Sequence, residues 1–360
     1  MHSILVAHFE REHLDGVLDV LSPLWPYDRD TRARLFQWKY VENPFADRPL
    51  GIVALEAGQV VGFRGYFADR FVLDGLDDGI GVLHPGDTCV APSHRHRRLS
   101  VAMGQLAMQY DLAQYRLFMS LGCSKNSLPG YLALGFRPLV KRVLLQHRGH
   151  NPLRWAVGAW AKSSKRRAPL DPIRRGRSGN ILVTDAPRAE SMATVIAAER
   201  HDVPALRPLQ DRSFFEWRYR NPVNRYLFYH LLDGDLDRGY LVVEVSPNGR
   251  SAQVLDFGER DDDALPELFE HLCRSGDFMA LSVLEYCLDA RLAPIVRKLG
   301  FVPVHAPRML LRRGSVEQLA LPVLIRPIAK SFGDEAFRAG ALDMRRLDHW
   351  RLKPICSDGA

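Results

Sequence analysis

The order of residues in the chain repeats itself, and this repeat is the strongest constraint on what the chain can fold into. An aromatic stretch that ends in Asn-Pro, LFQWKYVENP at 35–44, returns as FFEWRYRNP at 214–222 with one residue fewer. The corresponding pairs are Phe36 and Phe215, Trp38 and Trp217, Tyr40 and Tyr219, Asn43 and Asn221, and Pro44 and Pro222. A Leu-Gly-Phe sequence at 134–136 also returns, at 299–301. Two motifs that recur in the same order indicate duplication of a whole domain.

Length and composition agree with two domains of ordinary size. The chain has 360 residues, 46% hydrophobic and 25% charged, which is typical of a soluble globular protein. No apolar run approaches the roughly 18 residues that span a bilayer, and the N-terminal apolar stretch is too short for a signal peptide. The five cysteines are scattered and form no CxxC pair. We therefore expect a cytoplasmic protein without a disulfide framework, a transmembrane segment or a metal site.

The net charge of +7 is confined to one segment. Between Arg154 and Arg177 lie eight of the 49 basic residues and one of the 42 acidic residues, so the rest of the chain is balanced. A basic surface for DNA over the whole body is not supported. The segment is rich in polar residues, Pro and Gly, which predicts a linker over residues 151–179. The linker is either a solvated connector or a patch that meets an acidic partner: RNA, anionic lipid or an acidic carrier protein.

A basic loop enters a helix in the first repeat. The stretch GDTCVAPSHRHRRLS at 86–100 predicts a strand from Gly86 to Val90, a turn at 91–93 and a basic loop from His94 to Arg98. An amphipathic helix is predicted over 101–115. The N-terminus of a helix has unpaired N–H groups and a partial positive charge, so it stabilises phosphate. This pattern predicts a nucleotide or coenzyme site.

The same stretch resembles the acyl-coenzyme A loop of the GNAT-type N-acyltransferases. Its order is V-x-P-x-x-R-x-x-R-x-S, with Val90, Pro92, Arg95 and Ser100 in register and Arg98 where the family has glycine. An apolar run at 117–121 then predicts a buried parallel strand. The second family signature, N-x(4)-Y-x(3)-G-F, follows it. That signature is carried by Asn126, Tyr131, Gly135 and Phe136.

The resemblance implies a coenzyme site and a mechanism. Acetyl-coenzyme A or another acyl-coenzyme A would be the co-substrate, with no metal. The loop amides would hold its pyrophosphate, a backbone N–H near Cys89 and Val90 would hold the thioester carbonyl, and Asn126 would lie near the coenzyme. The coenzyme-binding residues implied are Cys89, Val90, Arg95, His96, Arg97, Arg98, Leu99, Ser100 and Asn126. Tyr131 would protonate the departing thiolate.

The fold that the resemblance implies is α/β with a mixed sheet, in two tandem GNAT-like domains. Residues 1–150 form the catalytic domain, 151–179 the linker, 180–313 a degenerate second domain and 314–360 a C-terminal extension. In place of the basic loop, the second copy has Asp261, Asp262 and Asp263, which would cap a helix and repel a pyrophosphate. We therefore expect coenzyme in the first domain only.

Several local features are also predicted. A helix over 30–40 would be capped by Asp30 and Thr31, and a hairpin would turn at Ala57-Gly58. An apolar helix is predicted from Val316 to Ile328. Trp38, Tyr40 and Asn43 could line an acceptor pocket, but their recurrence in the second copy favours a role in the core. His84, Asp87 and Glu42 are candidates for the general base, and the sequence does not choose among them.

The leading hypothesis for function is acyl transfer from acyl-coenzyme A to the primary amine of a small molecule, such as an amino sugar or amino acid. Similar tandem proteins use aminoacyl-tRNA or acyl-carrier protein as donor, and the basic linker would suit either. A non-catalytic binding module is the third possibility, since Arg98 replaces a glycine. The acceptor, the acyl length and the oligomeric state are left open.

Overall fold

A computed structural model describes the chain at residues 3–73, 76–109, 114–148, 175–199, 203–304, 321–329 and 331–356. Most of the predicted linker, residues 151–174, lies outside these residues. We call residues 3–148 the first half, residues 175–304 the second half and residues 321–356 the C-terminal tail.

The first half alternates helices and strands. Its helices are α1 (Leu14–Val20), α2 (Arg29–Phe36), α3 (Leu99–Ala107) and α4 (Leu128–Ala133). Its strands are β1 (Ile4–His8), β2 (Leu50–Glu56), β3 (Gln59–Leu73), β4 (Leu76–Val90), β5 (Tyr115–Ser120), β6 (Arg137–Lys141) and β7 (Leu144–Arg148).

The second half follows a similar order. Its helices are α5 (Ala189–Ala198), α6 (Arg212–Arg218), α7 (Ala264–Arg274) and α8 (Leu292–Lys298). Its strands are β8 (Gly176–Ser178), β9 (Ile181–Thr184), β10 (Arg207–Pro208), β11 (Arg225–Asp233), β12 (Leu236–Val245), β13 (Ser251–Glu259), β14 (Ala280–Leu284) and β15 (Val302–Pro303). The C-terminal tail adds β16 (Pro322–Pro327), β17 (Arg338–Ala339) and β18 (Leu342–Asp343).

The two halves each carry a mixed sheet, and strands cross between them: β7 of the first half lies in the second sheet, while β16 of the tail and the short β10 of the second half, which pairs with β3, lie in the first. The first sheet has the order β1-β2-β3-β4-β5-β16-β6, and the second has β15-β7-β14-β13-β12-β11-β9-β8. Strand β16 lies antiparallel between β5 and β6, while β7 lies antiparallel between β14 and β15. The predicted α/β class with mixed sheets is confirmed. Strand β7 precedes the linker in sequence but belongs to the second sheet, and β16 follows the second half but belongs to the first sheet. The boundary between the sheets therefore does not coincide with the boundary between the halves along the sequence.

Most local expectations near the first sheet are confirmed, and three are wrong. The β2–β3 hairpin turns at Ala57 and Gly58, both with positive φ as a tight turn requires. Of the helix predicted over Val316–Ile328, residues 316–320 lie outside the described residues, and 322–327 form a strand, because an apolar run of six residues fits a buried strand as well as a helix. Helix α3 ends at Ala107, and Tyr115 begins β5 rather than ending the helix.

The segment that carries the first aromatic motif has an unusual helical turn. Helix α2 is capped by Asp28, whose side chain accepts the Thr31 N–H, so the cap lies two residues before the predicted Asp30 and three before Thr31. The helix continues as a π-helical turn in which the Glu42 N–H donates to the Gln37 carbonyl. A π turn accommodates one extra residue. This agrees with the motif being one residue longer here than in the second half.

The repeated tryptophans join the two halves. The Trp38 and Trp217 rings stack with centroids 5.7 Å apart, and each indole N–H donates to the backbone carbonyl of the other, at 3.0 and 2.9 Å. Both side chains are 2% exposed and belong to one hydrophobic cluster built from both halves and the tail. The prediction that these aromatics are core residues is confirmed.

Candidate active site

A gap opens in the first sheet where two parallel strands separate. Strands β4 and β5 pair in parallel up to Leu83 and Phe118. Beyond this point β4 continues to Val90, while the last residues of β5 keep only the pairing with β16 on their other edge. We call the gap beside residues 84–90 the first cleft. The carboxyl ends of parallel strands that diverge in this way present unpaired backbone groups to a ligand.

A bulge shapes the edge of the first cleft. Gly86 on β4 pairs with Gly65 on β3, and Cys89 pairs with Phe63. Between these pairs β4 has two residues, Asp87 and Thr88, whereas β3 has only Arg64. One of them, Asp87, has a φ of 44°, in the left-handed region. A bulge of this kind bends the strand and redirects its side chains and carbonyls. It therefore helps to turn β4 away from β5.

The basic loop, residues 94–98, closes one end of the first cleft. Its first residue, His94, is buried and anchored: the Nε2 atom lies 2.9 Å from Glu56 Oε2 and Nδ1 lies 2.8 Å from Ser93 Oγ. His94 therefore fixes the loop to β2 and does not add charge to its surface, contrary to expectation. Arg95, His96, Arg97 and Arg98 are exposed. Arg95 also donates through Nε to the Val90 carbonyl.

The backbone of the loop has the conformation that the family glycine would favour. His96 and Arg98 have φ values of 66° and 57°, in the left-handed region. Arg98 is the N-cap residue of α3, and its carbonyl accepts the N–H groups of Val101 and Ala102, each at 3.0 Å. Within the described residues, the N–H groups from His96 to Ser100 have no acceptor. They form a cradle of free donors at a helix N-terminus, which is suited to phosphate.

Tyr131 lies across the first cleft from the edge of β4. It is 6% exposed on α4, and its hydroxyl donates to the carbonyl of Pro85 at 3.1 Å. Asn126 lies in the exposed turn that precedes α4. Cys89 and Val90 are the last two residues of β4, and burial raises the pKa of the Cys89 thiol. Leu99 is buried under α3, and Ser100 follows it in the first turn. The structure thus brings Cys89, Val90, the basic loop and Tyr131 to one gap, while Asn126 lies in the turn before the helix that carries Tyr131.

The sequence motifs did not identify Arg64, which is 5% exposed on β3. Its guanidinium carbon lies 5.0 Å from the centroid of the Tyr131 ring and 5.8 Å from that of Tyr66. Its Nη1 donates to the Ser100 carbonyl at 3.3 Å. Arg64 therefore connects the first turn of α3 with Tyr131. A buried arginine in a strand that otherwise reads as apolar was the only available hint.

Asp87 belongs to a buried cluster on the opposite face of the sheet. Its carboxylate accepts the Tyr40 hydroxyl at 2.5 Å and the Trp25 indole N–H at 3.2 Å, and it pairs with Lys39 Nζ at 2.6 Å. Lys39 is fully buried. These contacts occupy the carboxylate, so Asp87 is poorly placed to act as a free base.

The other two candidates for the base differ in surroundings. His84 is the first residue of β4 beyond the last β4–β5 pair, and its Nε2 lies 3.6 Å from the buried Asp69 carboxylate. Neither ring nitrogen of His84 has a hydrogen-bond partner within the described residues. Glu42 is exposed at the end of the π-helical turn. The geometry therefore favours His84 over Asp87.

The second half has the same gap, between β13 residues 254–259 and β14, which we call the second cleft. The parallel pairing of β13 and β14 ends at Gln253 and Ser282. At the helix that follows, Glu259 accepts the Leu265 N–H and pairs with Arg291, while Asp261 pairs with Arg238. Asp263 occupies the N-cap position without a side-chain bond. The Arg238 guanidinium, and after it the N–H groups of Asp263 and Ala264, hold the pKa of the Asp261 carboxyl below its usual value, so Asp261 takes part in the predicted capping together with Glu259. Carboxylates occupy this helix N-terminus, where the first cleft has free donors.

The C-terminal tail enters the second cleft. Lys353 Nζ donates to the Phe257 carbonyl at 2.7 Å and to Gln210 Oε1 at 2.8 Å, and it lies 3.5 Å from Asp256. Asp256 in turn accepts the hydroxyls of Tyr219 and Tyr240, each at 3.2 Å. Tyr219 and Asp256 thus repeat the Tyr40–Asp87 contact. This recurrence identifies the contact as a requirement of the fold.

Two further observations concern a membrane span and a metal site. Among the described residues, no helix is long and apolar enough to cross a membrane. In the same part of the chain, no group of three or more His, Cys, Asp or Glu side chains is arranged to hold a metal ion.

Comparisons with known proteins give similarity of fold. No family model matches the sequence, and no curated protein is significantly similar to it. A GCN5-related N-acetyltransferase from Anabaena variabilis is similar in structure, with a TM-score of 0.55 and 11% identity over 91% of this chain and 73% of that one.

Two other solved structures are similar to a comparable degree. A tandem GNAT protein from the clavulanic acid biosynthesis pathway has a TM-score of 0.51 and 12% identity, covering 92% of this chain and all of that one. The N-myristoyltransferase of Saccharomyces cerevisiae, with bound myristoyl-CoA, has a TM-score of 0.52 and 11% identity over 84% of this chain and 77% of that one. At such identities the similarity concerns the fold.

Proposed function

Because the chain has the tandem fold of the GCN5-related N-acetyltransferases, we propose that it is an acyl-coenzyme A dependent N-acyltransferase. The donor is acetyl-coenzyme A or a related thioester, and the acceptor is the primary amine of a small molecule such as an amino sugar or amino acid. One observation carries the proposal: free backbone donors from His96 to Ser100 stand at the open cleft of the first half.

The residues around the first cleft fit an acyl-coenzyme A. The coenzyme supplies an activated acyl group as a thioester. The free N–H groups of the loop and of α3 bind its pyrophosphate, and Arg95, Arg97 and Arg98 add positive charge. A backbone N–H near Cys89 or Val90, on the unpaired edge of β4, stabilises negative charge on the acyl oxygen. Asn126 lies at the side of the cleft where α4 begins.

Tyr131 is the proposed general acid. Its hydroxyl is held at the cleft edge by the Pro85 carbonyl, so its position is fixed before substrate arrives. It gives its proton to the sulfur as the thiolate departs. The equivalent position of the second half, five residues before the Phe of Leu-Gly-Phe, is Val296, which has no proton to give.

The decisive experiment is calorimetric titration of the full chain with acetyl-coenzyme A at several salt concentrations. We expect one site per chain and an affinity that falls as salt rises. Arg95→Ala with Arg98→Ala should weaken binding and flatten its salt dependence. Arg212→Ala with Arg274→Ala, which removes two exposed charges from the second half, is the matched control and should change neither.

Other outcomes separate the alternatives. If acetyl-coenzyme A does not bind, titration with an acyl-carrier protein or an aminoacyl-tRNA tests a macromolecular donor, for which the basic linker would supply the contact. If coenzyme A binds but no thiol is released with any amine of a broad panel, the chain is a binding module. Two sites per chain would contradict the assignment of the first cleft alone.

A further inference from the structure

Arg64 is a buried cation without a carboxylate partner. Among the described residues, its contacts are the Ser100 carbonyl, the rings of Tyr66 and Tyr131 and the Tyr66 hydroxyl, and its Nε–H has no acceptor. A guanidinium is charged at every accessible pH, and a buried charge is costly unless it is paired.

Three other buried cations in the described part of the chain, Lys39, Lys353 and Arg326, are compensated. Lys39 pairs with Asp87, and Lys353 lies beside Asp256. Arg326, which is equally buried, donates to three carbonyl oxygens, those of Leu134, Pro327 and Ala329. Arg64 has one such carbonyl. Its charge is therefore poorly compensated in the protein alone, and it faces the same side of the sheet as the basic loop.

Arg64 lies beside Tyr131, the residue proposed to protonate the leaving sulfur. It opposes the β4 bulge at Asp87 and Thr88, on the edge of the first cleft, and its guanidinium lies against the ring of Tyr131. In the proposed reaction, the bond between the amine nitrogen and the acyl carbon forms, and the carbon–sulfur bond breaks with its electron pair left on sulfur. Tyr131 gives its proton to sulfur and recovers one from water, while the amine releases its surplus proton to water.

We propose that Arg64 is the counter-charge for the sulfur of coenzyme A as it becomes a thiolate. A fixed cation in a buried site stabilises the negative charge that develops in the transition state more than the neutral thioester. The assignment rests on the proposed function and extends it to the thiol end of the donor. It also explains why a charge without a carboxylate is retained beside Tyr131.

The test is the pKa of the thiol in bound coenzyme A, followed by the ultraviolet absorbance of the thiolate as pH is raised. In the wild-type complex we expect this pKa to lie below that of free coenzyme A by about one to three pKa units, the effect of one opposite charge at close range. Arg64→Met should abolish the difference, and Arg64→Lys should keep part of it. If Arg64 served only as a structural link between α3 and α4, its substitution would not change the pKa of the bound thiol.

Desulfo-coenzyme A provides the matched ligand. Above the pKa of the thiol, the wild-type chain should bind coenzyme A at least tenfold more tightly than desulfo-coenzyme A, which follows from one pKa unit. In Arg64→Met this ratio should approach one, with the affinity for desulfo-coenzyme A retained. Thermal denaturation checks that the variant folds. If Arg64→Met does not fold, Arg64→Gln, which can still donate to the Ser100 carbonyl, takes its place.

The outcomes are distinguishable. A bound thiol whose pKa is not lowered in the wild-type chain, or one that stays lowered in the uncharged variant, overturns the role of Arg64 and leaves the proposed function standing. Failure of the wild-type chain to bind coenzyme A overturns the proposed function, and the role of Arg64 falls with it.

Discussion

The first and second clefts have the same strand arrangement but are surrounded by different polar groups. In both, a bulged strand parts from its parallel neighbour, and a Tyr–Asp contact lies on the face toward the other half. Free N–H donors stand at the helix after β4, whereas Glu259 accepts from the helix after β13. The first cleft has Tyr131 and Arg64 at its edge, while the tail places Lys353 in the second.

The comparison indicates that the gap between the strands is a feature of the fold, since both halves have it. Whether a gap can bind an anion depends on which polar groups around it have no partner within the protein. In the second cleft, Lys353, Asp256, Glu259 and Asp261 have internal partners, and carboxylates stand where an anion would bind. In the first cleft, the described N–H groups from His96 to Ser100 have no acceptor, and Arg64 has a backbone carbonyl but no carboxylate as its partner. Predictions that exchange or remove these features test the comparison directly.

The largest effect is expected at Tyr131, which has no counterpart with a proton in the second half. Tyr131→Phe should lower kcat by roughly 10²- to 10⁴-fold, because general acid catalysis contributes about that much. The affinity for acetyl-coenzyme A should change little. Steady-state kinetics and calorimetry measure the two quantities. Tyr115→Phe removes another hydroxyl from the first sheet and should leave kcat unaltered; equal kcat in both variants would return Tyr131 to a packing role.

The next effect concerns the tail in the second cleft. Lys353→Met should lower the free energy of unfolding by about 3 kcal/mol, the lower end of the range for breaking a buried ion pair, because neutral donors remain on Asp256. Chemical denaturation measures this loss. Coenzyme binding should stay at one site of unchanged affinity.

Arg351→Met is the control for this variant, since Arg351 donates only to backbone carbonyls at 3.4 Å. It should cost less than about 0.5 kcal/mol, as surface substitutions usually do. The appearance of a second coenzyme site in Lys353→Met would show that the tail alone keeps the second cleft from binding, contrary to the role assigned to Glu259.

A smaller effect, on coenzyme affinity alone, is expected when one of the free N–H groups between His96 and Ser100 is removed. Ser100→Pro removes one donor from the first turn of α3, where proline is tolerated. Loss of one hydrogen bond to a charged group costs about 1.5 to 3 kcal/mol, so the Kd for acetyl-coenzyme A should rise roughly 10-fold or more. Ser100→Ala keeps the donor and should bind as the wild type does. Similar affinities for the two variants would exclude the Ser100 N–H from phosphate binding.

The smallest effect is expected at Arg98. Its left-handed backbone costs a residue with a side chain roughly 1 to 2 kcal/mol, against roughly 0.5 to 1 kcal/mol for the extra entropy of glycine. Arg98→Gly should therefore raise stability by up to about 1 kcal/mol and leave coenzyme binding measurable. Arg97→Gly, at a neighbour without positive φ, should lower stability. If Arg98→Gly creates binding that the parent chain lacks, the native chain is no coenzyme A enzyme.

The sequence by itself determined the structural features that depend on residues close together along the chain. The β2–β3 hairpin follows from Ala57-Gly58, and the strand, loop and helix around residues 86–107 follow from their apolar and basic pattern. The repeat predicted two similar sheets and the buried role of Trp38 and Trp217. It also located the residues around the first cleft, since both motifs fall within one copy.

Only the tertiary structure decided the contacts between distant residues. The exchange of β7 and β16 leaves no local signal, because an antiparallel strand pairs equally well in either sheet and packing selects the sheet. Arg64 lies in a strand of ordinary pattern, and its proximity to Tyr131 depends on how α4 packs on β3. Lys353 reads as a surface residue, yet it lies in the second cleft, where folding brings Asp256 and the Phe257 carbonyl to it.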